Sequence, residues 1–364
     1  MTSLPKKNKI QTPRKHVRPL QTPTQLNFTL WNLAHAVKKA EYVTPLLPGA
    51  LSQSSSGFLL ENASLFDWSG GNFRLADGAL AALDDFSHSG LMGRLGQGFA
   101  LLKMQNFNFS FVSRFKKFCA TASPPVSTTT TKNGRIISLR TPDMVFERAD
   151  GTQALAESKG SGVHPGTLPD IKSALLDGLG QLGNWGAAFN PSIGKGYAMS
   201  AFLREKSDPH PENSILAFVD PEGKVGNHVP RRNEIVAQNY GLWLHGMNYP
   251  EIAGKLLGVR EGNNQYSFQL AEIGGESFAV TFHAPVFDTR YRYFIGWIAT
   301  GIRWKTLSSL STWSKNSTDL SSRNRLNIIE PISEFDGSYG SVFPDGTYFG
   351  MVKAGYFPED VLTF

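Results

Sequence analysis

Residues 142–159 read Pro142-Asp143-Met144-Val145-Phe146-Glu147-Arg148-Ala149-Asp150-Gly151-Thr152-Gln153-Ala154-Leu155-Ala156-Glu157-Ser158-Lys159, and their spacing decides the fold expected around them. Two strand-like runs flank Asp150-Gly151, a dipeptide suited to the left-handed backbone of a tight hairpin turn. With the chain reversing about Asp150, residues whose numbers sum to 300 stand opposite one another, which sets Asp143 against Glu157. Side chains alternate along a strand, so Glu157 and Lys159 share a face and the register adds Asp143 to it. Like charges directly opposite destabilise a sheet, and a divalent cation held by both carboxylates offsets them.

That expectation carries a chemistry. Mg²⁺ or Mn²⁺ takes a few carboxylate oxygens and keeps several waters. It lowers the pKa of water to where a nucleophile forms near neutral pH. Lys159, two residues from Glu157, is placed to stabilise negative charge growing on a phosphoryl group. The reaction class is hydrolysis of a phosphodiester. A solvent-exposed hairpin with an ordinary Glu/Lys ladder has the same residues, and Pro169-Asp170 and Pro344-Asp345 repeat the dipeptide elsewhere.

Outward from the hairpin, the pattern is that of a compact α/β unit with a mixed β-sheet flanked by helices. Leu91, Leu95, Phe99 and Leu102 recur at helical spacing over 91–105. The alternating aromatic run Phe107 to Phe115 reads as a strand, 121–131 as a Pro/Ser/Thr-rich loop, and Gly134 to Leu139 as a second strand. After the hairpin, a helix over 168–186 uses Leu168, Ile171, Leu175, Leu179 and Leu182 as its apolar face, and Tyr197 to Leu203 is a further strand. These bounds give a basic disordered tail over 1–25, an N-terminal region of unassigned role over 26–90, a core over 91–205, and a C-terminal α+β extension or second domain over 206–364.

The hairpin and its neighbours resemble the PD-(D/E)xK, or restriction-endonuclease-like, nuclease superfamily, in which one helix precedes such a hairpin and another follows. Gly93-Arg94-Leu95-Gly96-Gln97-Gly98-Phe99-Ala100 is similar to the Gly-x-Gly-Glu-x-x-Ala opening of the first helix in resolvase-like members, with Gln97 where an acidic metal ligand commonly stands. Gln181-Leu182-Gly183-Asn184-Trp185 is similar to the Gln-x-x-x-Tyr element of exonuclease-type members. The resemblance covers 91–203, with elaborations on both sides. It implies a Mg²⁺- or Mn²⁺-dependent enzyme acting on DNA. Asp143 and Glu157 are then metal ligands, Lys159 stabilises the transition state, and Gln181 contacts phosphate or water; a role in restriction or antiphage defence follows from the same resemblance. Two alternatives stay open: a catalytically weak or inactive nucleic-acid-binding scaffold on the same fold, which Gln97 favours, and an RNA-directed nuclease. A partner protein for targeting and a homodimer are compatible with either.

Charge adds less than it first suggests. The 36 Lys and Arg exceed the 30 Asp and Glu by six, and six cations with no acid lie in residues 1–25, so the remainder balances. The tail supplies salt-sensitive attraction to phosphates rather than a groove. Cys119, the sole cysteine, excludes a disulfide framework and reads as a buried thiol. No apolar leader follows the basic start, and the apolar run Tyr293 to Trp304 is too short to span a bilayer, so a cytoplasmic protein without a membrane partner is expected. Among the eight histidines, His164 lies nearest the hairpin, and His210 and His245 lack companions at ligand spacing. Lys172 is a lesser candidate on the following helix. Gly160, Gly162 and Gly166 suggest a loop open to a substrate backbone, and Arg114-Phe115-Lys116-Lys117-Phe118 a phosphate-tracking edge.

Overall fold

The computed structural model describes residues 3–4, 25–41, 62–121, 126–133, 135–186, 195–210, 213–219, 233–288, 293–315 and 339–364, with a few single positions between them. The chain is mixed α/β and divides into two compact units. The first comprises 1–27, 61–109 and 113–230; the second comprises 28–60, 110–112 and 231–364. Of the basic tail 1–25, Ser3–Leu4 and Gln25 are described, and Ser3–Leu4 pairs in parallel with Ile215–Val219.

The first unit is built on one mixed sheet. After Ser3–Leu4 its strand order is Ile215–Val219, Lys195–Leu203, Gln153–Gly162, Met144–Arg148 and Phe109–Arg114. Gln153–Gly162 runs parallel to Lys195–Leu203 and antiparallel to Met144–Arg148. Ile215–Val219, beyond the 205 boundary expected from sequence, is therefore part of this sheet. The central strands are buried on both faces, which suits runs such as Ala154-Leu155-Ala156 and Tyr197-Ala198-Met199.

The helix expected over 91–105 is longer, Asp85–Asn106, because Asp84 caps it: the Asp84 carboxylate accepts from the Ser87 N–H at 2.7 Å. This helix crosses the strand Gln153–Gly162 with backbone nearly on backbone. A Cβ on Gly160 would overlap the Met92 carbonyl, and one on Gly96 would stand 2.7 Å from the Lys159 carbonyl oxygen. Gly160 thus serves helix–sheet packing inside a strand, and the substrate-permissive loop expected of the glycine cluster does not form there. The residue-160 direction faces this helix, so the odd-numbered Glu157 and Lys159 face the other side of the sheet. That side is covered by Ile171–Gly186, whose Gly178 passes over Glu157: a Cβ there would lie 3.5 Å from Glu157 Cγ.

Several expected elements shift for local reasons. Ile171–Gly186 starts three residues later than expected, since Asp170 caps it by accepting from the Ser173 N–H at 3.0 Å; Leu168 lies outside it and is 72% exposed. Leu175 and Leu182 are buried, each contributing roughly 1.5–3 kcal/mol. The aromatic strand ends at Arg114, and Phe115–Thr121 is helical with Phe115, Phe118 and Cys119 buried, so the basic-aromatic stretch is half core and not a continuous edge. The segment read as loop and strand forms a separate two-stranded hairpin, Thr129–Lys132 against Arg135–Ser138.

The second unit holds a six-stranded antiparallel sheet in the order Gly340–Val342, Thr347–Lys353, Phe294–Arg303, Glu276–Phe287, Gln265–Ile273 and Glu359–Thr363. The apolar run Tyr293 to Trp304 holds the strand Phe294–Arg303. The helices Leu30–Glu41, Glu234–Gly246, Pro250–Leu256 and Trp304–Lys315 belong to this unit. Its polar interior centres on Asp345, which is 2% exposed. Lys39 and the Asn239 amide, at 2.7 Å, donate to one carboxylate oxygen. The Thr347 N–H and hydroxyl donate to the other, at 3.2 and 2.7 Å. Tyr240 donates to the Asp345 carbonyl at 2.8 Å. His35 stacks on Phe343 at 3.6 Å between ring centroids and bonds Ser341 and Thr347, both at 3.1 Å. Burial, then the neighbouring Lys39 and Lys38 charges, holds the His35 pKa well below its ordinary value.

Among the described residues, no helix is long and apolar enough to cross a membrane.

Candidate active site

The hairpin 144–156 forms in the register derived from sequence: Met144 pairs with Ala156, Val145 with Leu155, Phe146 with Ala154 and Glu147 with Gln153, each pair summing to 300. The turn works as its residues dictate. Gly151 takes φ +85°, and the Asp150 carboxylate accepts from the Thr152 N–H at 2.7 Å.

Asp143 lies just before its strand, and its carboxylate turns onto Ser158. Oδ2 accepts from the Ser158 N–H at 3.0 Å and from the Ser158 hydroxyl at 2.6 Å. The expected direct facing of Asp143 and Glu157 is thus a one-residue offset, because the carboxylate takes the nearest strand N–H left open where its own strand has not yet begun.

Glu157 is 2% exposed. One oxygen, Oε1, accepts from Lys159 Nζ at 2.6 Å, and the other, Oε2, is buried without a hydrogen-bond partner. Such an oxygen costs on the order of 1–3 kcal/mol or more when charged. Burial, then the nearby Asp143 charge, pushes the Glu157 pKa up to about 7, against the opposing pull of Lys159. Burial lowers the Lys159 pKa, but its bond to Glu157 and the Glu157, Asp177 and Asp143 charges outweigh it, and the ammonium is held above its ordinary value.

Asp177, which the sequence reading passed over, is the third acid here. It lies 3.6 Å from Lys159 Nζ, and Arg140 grips it with both terminal nitrogens at 3.0 and 3.2 Å. Gln181, one turn further along the helix and 6% exposed, donates to Asp177 at 3.4 Å. Its tie to the site runs through Asp177. The signal that was available is the i, i+4 spacing of Asp177 and Gln181 on one helix face.

The remaining candidates fall away from this cluster. Gln97 accepts from Arg114 at 2.9 Å. Trp185 donates its indole N–H to the Arg140 carbonyl at 2.7 Å and packs edge-on against Phe115, so it anchors the chain entering the site. Lys172 and His164 are exposed. His210 donates its backbone N–H to Asp208, whose carboxylate also pairs with the buried Arg204.

Among the described residues, no three His, Cys, Asp or Glu side chains stand together as a ready metal cage. A cation here would rest on the Asp143 and Glu157 pair with water completing its shell, which suits Mg²⁺ better than a metal that requires an all-protein cage. No protein-family model, curated protein or solved structure matches this chain.

Proposed function

We propose that the first unit is a restriction-endonuclease-like core that hydrolyses DNA phosphodiester bonds with Mg²⁺ or Mn²⁺. The observation that carries this reading is the orphaned Glu157 Oε2: a buried carboxylate oxygen without a partner, beside a second carboxylate and an ammonium. A structural acid at this depth would have its lone pairs filled. The donor set fits a hard divalent cation, with Asp143 and Glu157 as its two protein ligands. When bound, such an ion supplies Lewis-acid neutralisation of phosphoryl charge and acidifies water.

The chain's own residues do the rest. Ser158 fixes Asp143 through two hydrogen bonds, so that carboxylate arrives with little rotamer freedom left to lose. Lys159 presents an ammonium that stays protonated at neutral pH and lies where charge grows on a phosphoryl oxygen. Asp177 orients Lys159, and Arg140 and Gln181 orient Asp177.

A second reading, a nucleic-acid-binding scaffold without turnover, draws support from Gln97, whose amide is committed to Arg114, and from the two-acid donor set. Incubating the full chain with DNA and with RNA, with and without Mg²⁺, separates the readings. Mg²⁺-dependent DNA scission that disappears in Lys159→Ala supports the enzyme. DNA binding without scission in Mg²⁺ or Mn²⁺ supports the scaffold, and scission of RNA alone changes the substrate.

A further inference from the structure

The hairpin Thr129–Lys132 and Arg135–Ser138 is exposed along its whole described length, on both faces. Ile136 is 78% exposed and Ile137 40%. An isolated two-stranded hairpin is marginal in water, and a bare isoleucine on it gains nothing from solvent. The ribbon's charge is one-sided. Residues 126–141 contain Lys132, Arg135 and Arg140, no acid, and the hydroxyl run Ser127-Thr128-Thr129-Thr130-Thr131. Lys132 and Arg135 are directly paired across the strands at the tip. Like charges in that position repel, and neither is in an ion pair among the described residues. A polyanion relieves that repulsion, which no acidic side chain among the described residues does.

The ribbon's root is part of the candidate site. Leu139 continues the ladder by donating to the Thr128 carbonyl at 2.9 Å. The next residue, Arg140, grips Asp177 and is held from behind by Trp185, and Asp143 follows three residues later. The chain leaving the ribbon therefore runs straight into the Arg140–Asp177–Lys159 contacts.

We propose that ribbon 129–138 is a DNA-reading arm that enters the major groove of duplex DNA next to the scissile position. The B-form major groove, about 12 Å wide, admits a two-stranded ribbon, whereas the A-form major groove of duplex RNA is too narrow. Lys132 and Arg135 meet phosphates on the groove walls, the threonine hydroxyls reach phosphates or base edges, and Ile136 offers an apolar contact to a thymine methyl. The inference names how the substrate of the proposed nuclease is held and takes its biological sense from that reading.

The test is binding rather than turnover. The full chain is titrated with a short fluorescent DNA duplex in EDTA across a salt series, beside the double variant Lys132→Gln/Arg135→Gln and the single variant Ile136→Thr. Two phosphate contacts predict a log-log salt slope shallower by about 1.8 in the double variant, about 0.9 per contact. Ile136→Thr leaves the slope unchanged and weakens affinity several-fold. Circular dichroism and melting check that these exposed substitutions leave the fold intact. No binding by the unsubstituted protein, an unchanged slope in the double variant, or equal affinity for an RNA duplex of the same sequence overturns the proposal. The assay contains no divalent cation, so an inert catalytic site does not affect its outcome, and Lys159→Ala assayed for scission in Mg²⁺ reports on that site separately.

Discussion

Two buried acids, Asp345 and Glu157, make an instructive pair. Asp345, in the second unit, is buried with both carboxylate oxygens and its carbonyl occupied by Lys39, Asn239, Thr347 and Tyr240. Glu157, with Asp143 in the first unit, is equally buried, yet one of its oxygens has nothing to bind. A satisfied buried acid ties elements together; an unsatisfied one is a cost that a fold tolerates where a ligand offsets it. Asp170 simply caps a helix at the surface. Asp143, Asp170 and Asp345 each follow a proline, and only their partners distinguish them.

The largest effect expected from this contrast is in the second unit. Asp345→Ala leaves Lys39 buried without its counter-charge, and denaturant melts should register a loss of about 3–5 kcal/mol, the usual cost of breaking a buried pair from one side. A change under about 1 kcal/mol would remove the structural role assigned to that network.

Next comes Lys159→Ala, whose effect should fall on chemistry. DNA scission is expected to drop by roughly 10²–10³-fold, as for other preorganised donors. The melting temperature at pH 8 should fall modestly as well, because the buried Glu157 loses the donor to its Oε1.

Glu157→Gln should move stability the other way. The Glu157 pKa stands at about 7 in the fold and at the ordinary 4.5 when unfolded, so between those values the native state holds a proton that the unfolded chain has lost. Stability therefore falls as pH rises through that window, by up to about 3 kcal/mol at 1.36 per pKa unit, and stays low above it. In EDTA at pH 8 the amide should melt higher than the parent, while near pH 4.5 the two should converge. A parent whose stability is flat from pH 4.5 to 7 would contradict this environment for Glu157.

Smallest is Arg140→Ala. Its bond to Asp177 lies at the surface and should contribute no more than about 1 kcal/mol to melting, although scission should weaken as Asp177 loses one of its two cationic neighbours.

How much of this was legible in the sequence depended on the range over which the information acts. The hairpin register was readable because an Asp-Gly turn is a local device and alternation carries it along both strands. The two flanking helices were readable from period, although their starts moved to Asp84 and Asp170, whose side chains compete for the first backbone N–H groups. Asp177 was not, since its nearness to Lys159 depends on a helix crossing made close by Gly178, a packing event without a local signature. The Lys39–Asp345 pair joins positions 306 residues apart and had no signal at all. Ribbon 129–138 was partly hidden: Asn133-Gly134 is a hairpin signal, but the Ser/Thr run before it reads as loop, and nothing buried fixes a period there.

The orphaned oxygen at Glu157 is tested most directly by titrating Mn²⁺ into the full chain at pH 8 and following the free ion by electron paramagnetic resonance. One site per chain, abolished in Glu157→Gln and retained in Lys159→Ala, is the predicted result. No bound ion, or a site that survives Glu157→Gln intact, would contradict the account.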